Sequence, residues 1–373
     1  MIDPSTFCNL LSDLGLDFFT GVPDSLLKNL CGYLENEKDK TKFHITANEG
    51  NAISLGAGYH LATGKIPVCF LQNSGLGNLV NPLTSLTHKK VYSIPTLLII
   101  GWRGEPNVKD EPQHIFQGEI TEAQLKLLEI PYLIVDASTS LDVIGPWIRD
   151  TFNNHSSPAA LLIRKNSFLD YKYTPHNIYS NAMSRESALF QIASLSKHSI
   201  IISTTGKTSR ELYETRSELK QEHNDFLTVG AMGHTSSIAL GVALAKPNQK
   251  VICLDGDGSL LMHMGSLAIM AAKSPSNLKY ILLNNSSHES VGGQPTIASE
   301  INFKLLCDAF SINDYHQASK AKELELLWDS FYGSNSFSFL ELKISSGSRP
   351  NLGRPKTSPI ENKLYFQKYA LNA

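Results

Sequence analysis

The chain has 373 residues, 42% of them hydrophobic and 18% charged, and its 33 basic and 35 acidic side chains leave a net charge of −2. That length suits two domains or slightly more at about 150 residues each, and the composition is that of a chain burying a substantial core. Near-neutrality excludes a global field that recruits nucleic acid or an anionic membrane, so the expected ligand is small.

Short apolar runs of strand length recur between helix-length segments: Asp17 to Thr20, His44 to Ala47, Val68 to Asn73, Thr96 to Gly101, Tyr132 to Asp136 and Ala159 to Lys165. A second set follows at Ser199 to Thr205, Asp225 to Gly230, Val251 to Asp255, Tyr280 to Asn284 and Phe337 to Ile344. Runs such as TLLIIG and VICLD are continuously apolar rather than alternating, as in strands covered on both faces. Alternation with helices then predicts two doubly wound, parallel α/β domains. The halves also resemble each other: ISLGAGYHLATGK before PVCFLQNSGLG is matched about 185 residues later by SIALGVALAKPNQK before VICLDGDGS, as in an internal duplication.

Between the halves, Asn166 to Ser187 has no apolar period and carries Pro, Asn, Ser and several aromatic rings, which suits a linker lying against a surface. The expected division is 1–170, a linker at 171–186, and 187–373. Cys8, Cys31, Cys69, Cys253 and Cys307 are scattered, odd in number and without CxxC, suggesting core thiols rather than disulfides or zinc ligands. No stretch of about 18 residues is uninterruptedly apolar, and no leader pattern opens the chain. The expected protein is soluble and cytoplasmic.

The chemistry concentrates in Val251 to Gly293, a strand, a Gly-Asp-Gly turn, a helix from near Ser259, and a second strand ending in Asn284-Asn285. Gly256 and Gly258 permit a tight turn and close ligand approach, and free amides at the helix start favour phosphate. Asp257 and Asn285 fall at the carboxyl ends of two strands, where ligands bind in open α/β sheets. Together with a loop carbonyl they form a hard oxygen set suited to phosphate-bound Mg2+.

GDG, 25 intervening residues and NN resemble the fingerprint of thiamine diphosphate enzymes. The resemblance implies thiamine diphosphate and Mg2+ as cofactors, with Asp257, Asn285 and the Ser287 backbone oxygen on the metal. It implies a diphosphate domain in the second half, with Gly206, Gly256, Gly258 and Ser259 at the cofactor, and a pyrimidine domain in the first. Glu49, in HITANEGNAISLGAG, becomes the acid at the pyrimidine nitrogen N1′, and Met232, in VGAMGHTSSIALG, the apolar wedge that bends the cofactor. From the residues alone, Glu49 reads equally as a carboxylate favouring a helix N-terminus, and Met232 as a core filler.

FFTGVPDSLLKNL, GWRGEPNVKDEPQH, SGSRPNLGRP and the GQP after VGG resemble the phosphonopyruvate decarboxylases over nearly the whole chain, with the sulfopyruvate decarboxylases as the alternative. The implied reaction converts 3-phosphonopyruvate to phosphonoacetaldehyde and CO2, a step of phosphonate biosynthesis. Asp24 and His114 match the proton-relaying acid and imidazole of 2-keto acid decarboxylases. Val291 stands near the place of a decarboxylase glutamate, leaving His288 or Glu289 to replace it. A dianionic or trianionic substrate calls for cations, and the candidates are Arg103, Lys109, Lys207, Arg210, Arg349 and Arg354. The family clamps its cofactor between domains of different chains, implying a homo-oligomer, at least a dimer with active sites at the chain interface. A cofactor-binding regulatory subunit has no need of Glu49, and neither the glycines at Gly56 nor those at Gly75 complete the GxGxxG of a nucleotide-binding oxidoreductase.

Overall fold

The apolar runs become parallel strands because alternate residues of each feed two different cores. The computed structural model describes residues 1–372, which form two units: Met1–Pro175 with Val291–Gln294, and His176–Ser290 with Pro295 onward.

In the first unit, β1 (Phe19–Gly21), β2 (Phe43–Ile45), β3 (Val68–Gln72), β4 (Leu97–Gly101), β5 (Tyr132–Val135) and β6 (Ala159–Ile163) lie in the order β2-β1-β3-β4-β6-β5. All their pairings are parallel. Val68, Phe70, Leu97 and Ile99 enter one buried cluster, while their neighbours Cys69, Leu71, Leu98 and Ile100 enter another on the opposite face. Each such fully buried side chain contributes about 1.5–3 kcal/mol.

The second unit holds β7 (Met183–Ser184), β8 (Ile200–Ser203), β9 (Phe226–Leu227), β10 (Val251–Gly256), β11 (Leu278–Asn284), β12 (Asp314–Ala318) and β13 (Ser338–Ser345). Six run in the order β12-β13-β11-β10-β8-β9, with β7 paired to the end of β13. Numbered from its own first full strand, β8, this sheet has the same order as the first, 2-1-3-4-6-5. Both are therefore doubly wound, and in each the connections diverge between the first and third strands, where a crevice opens at the carboxyl ends.

Two departures from the sequence expectation have physical reasons. The strand β12, at the sheet edge beside β13, is DYHQA, in which Ala318 alone is fully buried, so it lacks the apolar run by which strands are recognised. The strand β11 starts earlier than Tyr280 because Lys279, although fully buried, donates to the carbonyls of Ser334 and Ser336 and to Ser338 Oγ. Between the sheets in sequence, Phe168 joins the first core and Tyr171 packs edge-on against Tyr33 of the helix Lys28–Glu37.

Candidate active site

In the first unit, functional side chains cluster at the ends of β1 to β4. Glu49 follows β2 as the first residue of the helix Glu49–Thr63, whose N-cap is the Asn48 side chain. It is 5% exposed, and Asn78 Nδ2 donates to its Oε2 at 2.6 Å. A Cβ on Gly75 would fall 2.4 Å from Glu49 Oε1, so glycine after β3 makes room for the carboxylate.

Asp24 lies in the turn after β1 and is fully buried. The Leu26 N–H donates to its Oδ2 at 2.9 Å, whereas Oδ1 has no partner. Desolvation raises its carboxyl to about 6. A Cβ on Gly101 would lie 2.1 Å from Oδ2, so this glycine too is shaped around an acid.

Arg103 follows β4, fixed by reciprocal hydrogen bonds between its backbone and the Asn73 side chain at 2.8 and 3.1 Å. Its guanidinium forks onto Asp110 and donates to Ser25 Oγ at 2.7 Å. His114 opens the helix Pro112–Leu127 with its Nδ1 buried and unpartnered. Desolvation and then the Arg103 charge lower its imidazole to about 4, so it is neutral at pH 7. A cavity of about 220 Å³ is lined by Ser25, Trp102, Arg103, Lys109, Asp110 and Lys165 among others.

In the second unit, the site lies at the ends of β8, β10 and β11. Asp257 is 3% exposed and begins the short helix Asp257–Met262; Thr296 Oγ1 donates to its Oδ2, and desolvation raises its carboxyl to about 6. Asn285 follows the neighbouring strand; its Oδ1 accepts from the Ser287 N–H at 3.1 Å, and its Nδ2 donates to Glu289 at 2.9 Å. Ser287 is buried, with its hydroxyl unpartnered. A buried carboxylate and an amide oxygen thus follow two adjacent strands, and both are hard oxygen donors of the kind a divalent cation takes.

Around this set, Gly206 adopts φ 88° and ψ −136°, a region for glycine alone, and a Cβ there would approach Ser290 Oγ to 3.1 Å. Ser259 Oγ accepts from the Gly233 N–H at 3.0 Å, tying the Gly256–Ser259 turn to the Met232 segment. Met232 sits between Ala231 at φ 50° and Gly233 at φ 87°. A non-glycine residue at positive φ costs about 1–2 kcal/mol, so the backbone is strained where it presents Met232. A Cβ on Gly258 would touch both Met232 Cε and the His288 ring at 3.2 Å, which places both side chains over that glycine. Desolvation lowers His288 to about 4, leaving it neutral at pH 7.

Glu289 differs from His288. Desolvation raises its proton affinity, but bonds and charge from Arg185 and Lys207 outweigh it and hold the carboxyl at about 2. It is therefore ionised and no proton donor near neutrality. Lys207 Nζ is 2.7 Å from it. Arg210 donates to the carbonyls of Leu352 and Gly353, and Arg349 pairs with Glu186 and Glu214, so these cations brace the segment that carries Arg354.

Sequence reasoning did not single out Asn78, Arg185, Glu211 or Thr296. The Gly75 run and the Asn78 that follows it after β3 were the available signal for the first; the others meet their partners only through the fold.

Residues 5–127 match the N-terminal TPP binding domain of thiamine pyrophosphate enzymes, and residues 204–341 the C-terminal TPP binding domain. A phosphonopyruvate decarboxylase of Streptomyces viridochromogenes is 34% identical over 96% of this chain and 92% of its own length. One from Streptomyces hygroscopicus is 33% identical over 99% of this chain and 94% of its own length. A sulfopyruvate decarboxylase of Methanosarcina acetivorans is 28% identical over 92% of each chain.

Proposed function

From the premise that the chain belongs to the thiamine pyrophosphate enzymes, and within them to the phosphonopyruvate decarboxylases, we propose that it decarboxylates 3-phosphonopyruvate to phosphonoacetaldehyde and CO2. The observation that carries this reading is the oxygen set of Asp257, Asn285 and Ser287 in a chain so similar to such a decarboxylase over its full length. The sulfopyruvate alternative rests on lower identity.

Asp257, the Asn285 amide oxygen and the Ser287 carbonyl would hold Mg2+; what supports this is a buried carboxylate and an amide oxygen following the adjacent strands β10 and β11. Gly206, Gly256, Gly258 and Ser259 leave room for the diphosphate, and Met232 supplies the apolar wedge. Thiamine diphosphate, when bound, provides the carbanion nucleophile and the electron sink for the departing CO2. Glu49, oriented by Asn78, exchanges a proton with the pyrimidine N1′. Asp24, with one oxygen open and its carboxyl near 6, and neutral His114, with Nδ1 open, hold and pass protons. His288 is the neutral base or donor of the second unit.

Arg103 and Lys109 line the cavity of the first unit and suit the substrate's anionic ends. Lys207, Arg210, Arg349 and Arg354 are the candidate cations of the second unit, where Lys207, Arg210 and Arg349, like Arg103 in the first, also serve internal partners. The working unit is at least a dimer with active sites at the chain interface. The compartment is the cytoplasm, in keeping with five buried free thiols. Among the described residues no helix is long and apolar enough to cross a membrane.

The test is a coupled assay of aldehyde release from phosphonopyruvate, sulfopyruvate and pyruvate with thiamine diphosphate and Mg2+. Phosphonopyruvate is expected to have the highest kcat/KM; faster turnover of sulfopyruvate overturns the substrate assignment, and loss of turnover on omitting cofactor or metal checks both.

A further inference from the structure

Beside the metal donors lies a buried ionic network that the proposed chemistry does not use. Arg185, 5% exposed at the start of the helix Arg185–Leu195, grips Glu211 with Nε and Nη2, each at 2.8 Å. Its Nη1 donates to Glu289 Oε2 at 2.9 Å, and Lys207 Nζ donates to Glu289 Oε1 at 2.7 Å. Asn285 Nδ2 donates to the same Oε2 at 2.9 Å. Two helices and the loop after β11 thus converge on one carboxylate, and the four charges cancel.

The chemistry of that contact fixes the Asn285 amide. An ionised carboxylate only accepts hydrogen bonds, whereas an amide has a donating end and an accepting end. With Nδ2 held on Glu289, the turned-over amide would set oxygen against oxygen. The Ser287 N–H, 3.1 Å from Oδ1, restrains the same orientation and still leaves a lone pair on that oxygen. Stability alone is a weak reason to keep such a network, because replacing buried ion pairs by packed apolar residues is often neutral or stabilising.

We propose that Glu289, gripped by Arg185 and Lys207, is the positioning residue of the divalent-cation site: it locks the Asn285 side chain so that its oxygen faces the metal. The proposal rests on the reading that Asp257, Asn285 and Ser287 hold the cation. Residues that orient metal ligands in this way typically contribute about 10–100-fold to affinity.

The experiment titrates Mn2+ into full-length, cofactor-stripped protein with thiamine diphosphate at fixed concentration, reading free Mn2+ by electron paramagnetic resonance, so that no turnover is needed. Glu289→Ala is expected to raise the half-saturating Mn2+ about 10–100-fold. Glu211→Gln, which breaks the network one step away from Asn285, should lower Tm but leave Mn2+ binding within about 2-fold. Glu289→Gln keeps the side-chain volume and serves if the alanine variant does not fold by circular dichroism; its expected shift is at least about 5-fold. If the folded Glu289 variants bind Mn2+ as wild type does, or if Glu211→Gln weakens binding as much as they do, the positioning role is overturned and the metal assignment stands. Wild-type protein that binds no Mn2+ with the cofactor overturns the metal assignment itself, and the positioning role with it.

Discussion

The two units share one strand order and place their candidate site residues after equivalent strands, and two of their acids, Asp24 and Glu289, lie in opposite electrostatic settings. After its first, second and third strands the first unit presents Asp24, Glu49 and the Gly75–Asn78 segment; after the equivalent strands the second presents Gly206, Met232 and Asp257. Asp24 is buried with an oxygen open and its carboxyl raised by desolvation to about 6. Glu289, by contrast, is saturated by Arg185, Lys207 and Asn285 and is held at about 2. Each unit also holds an acid of the other kind: in the first Arg103 forks onto Asp110 and holds its carboxyl low, and in the second desolvation raises Asp257 to about 6. The same backbone supports both because the difference lies in side chains at the ends of the strands, outside the two cores.

The largest effect that would break this contrast is expected at Glu49. Glu49→Gln keeps the shape but not the acid, and kcat for phosphonopyruvate should fall by about 10²–10⁴-fold with an unchanged circular dichroism spectrum. Retention of most of the activity would remove the first unit's proton role. Gly75→Ala probes the same carboxylate indirectly. Its Cβ would meet Glu49 Oε1 at 2.4 Å, so the acid must shift, and displacement of about 1 Å lowers kcat by about 10²-fold. An alanine variant with wild-type kcat would show that Glu49 position is not limiting.

Burial of Asp24 also bears on stability. Its carboxyl titrates near 3.8 in the unfolded chain and at about 6 when folded. Between those values the folded protein keeps a proton that the unfolded chain has lost, so ionisation costs the fold. The penalty is absent below the unfolded value, grows as pH rises and is complete above about 6, at about 3 kcal/mol. Asp24→Asn should therefore raise Tm at pH 8, leave it nearly unchanged at pH 3.5, and lower activity. A variant less stable at pH 8 would mean that the ionised acid is compensated.

The smallest effect concerns substrate charge. Lys109→Ala should raise KM for phosphonopyruvate by about 10-fold, the scale of one charged hydrogen bond, without altering slow turnover of pyruvate. Equal effects on both substrates would separate the first unit's cavity from phosphonate recognition.

Most of the fold was legible because interior parallel strands must be apolar on both faces, and TLLIIG, AALLI and VICLD could serve no other purpose. The strand DYHQA was not, since its four polar or amphipathic residues before Ala318 carry no apolar run. For the site, the GDG and NN runs pointed to Asp257 and Asn285 because close backbone approach and strand-end placement restrict residue types locally. Glu49 and Met232 were ambiguous from the residues alone, each having an ordinary structural reading. The candidate cations were legible as charges but not as partners: nothing near Lys207 in the chain announces Glu289, nor anything near Arg349 that it pairs with Glu186 and Glu214.

Periodicity and glycine turns are local constraints, and they sufficed for two doubly wound sheets and for placing Asp257 and Asn285 at strand ends. Only the tertiary structure decided which carboxylates are orphaned and which are saturated. Desolvation and ion pairing depend on residues such as Arg185 and Glu289, 104 positions apart in the chain, that meet only when helices and loops close around the same strand ends.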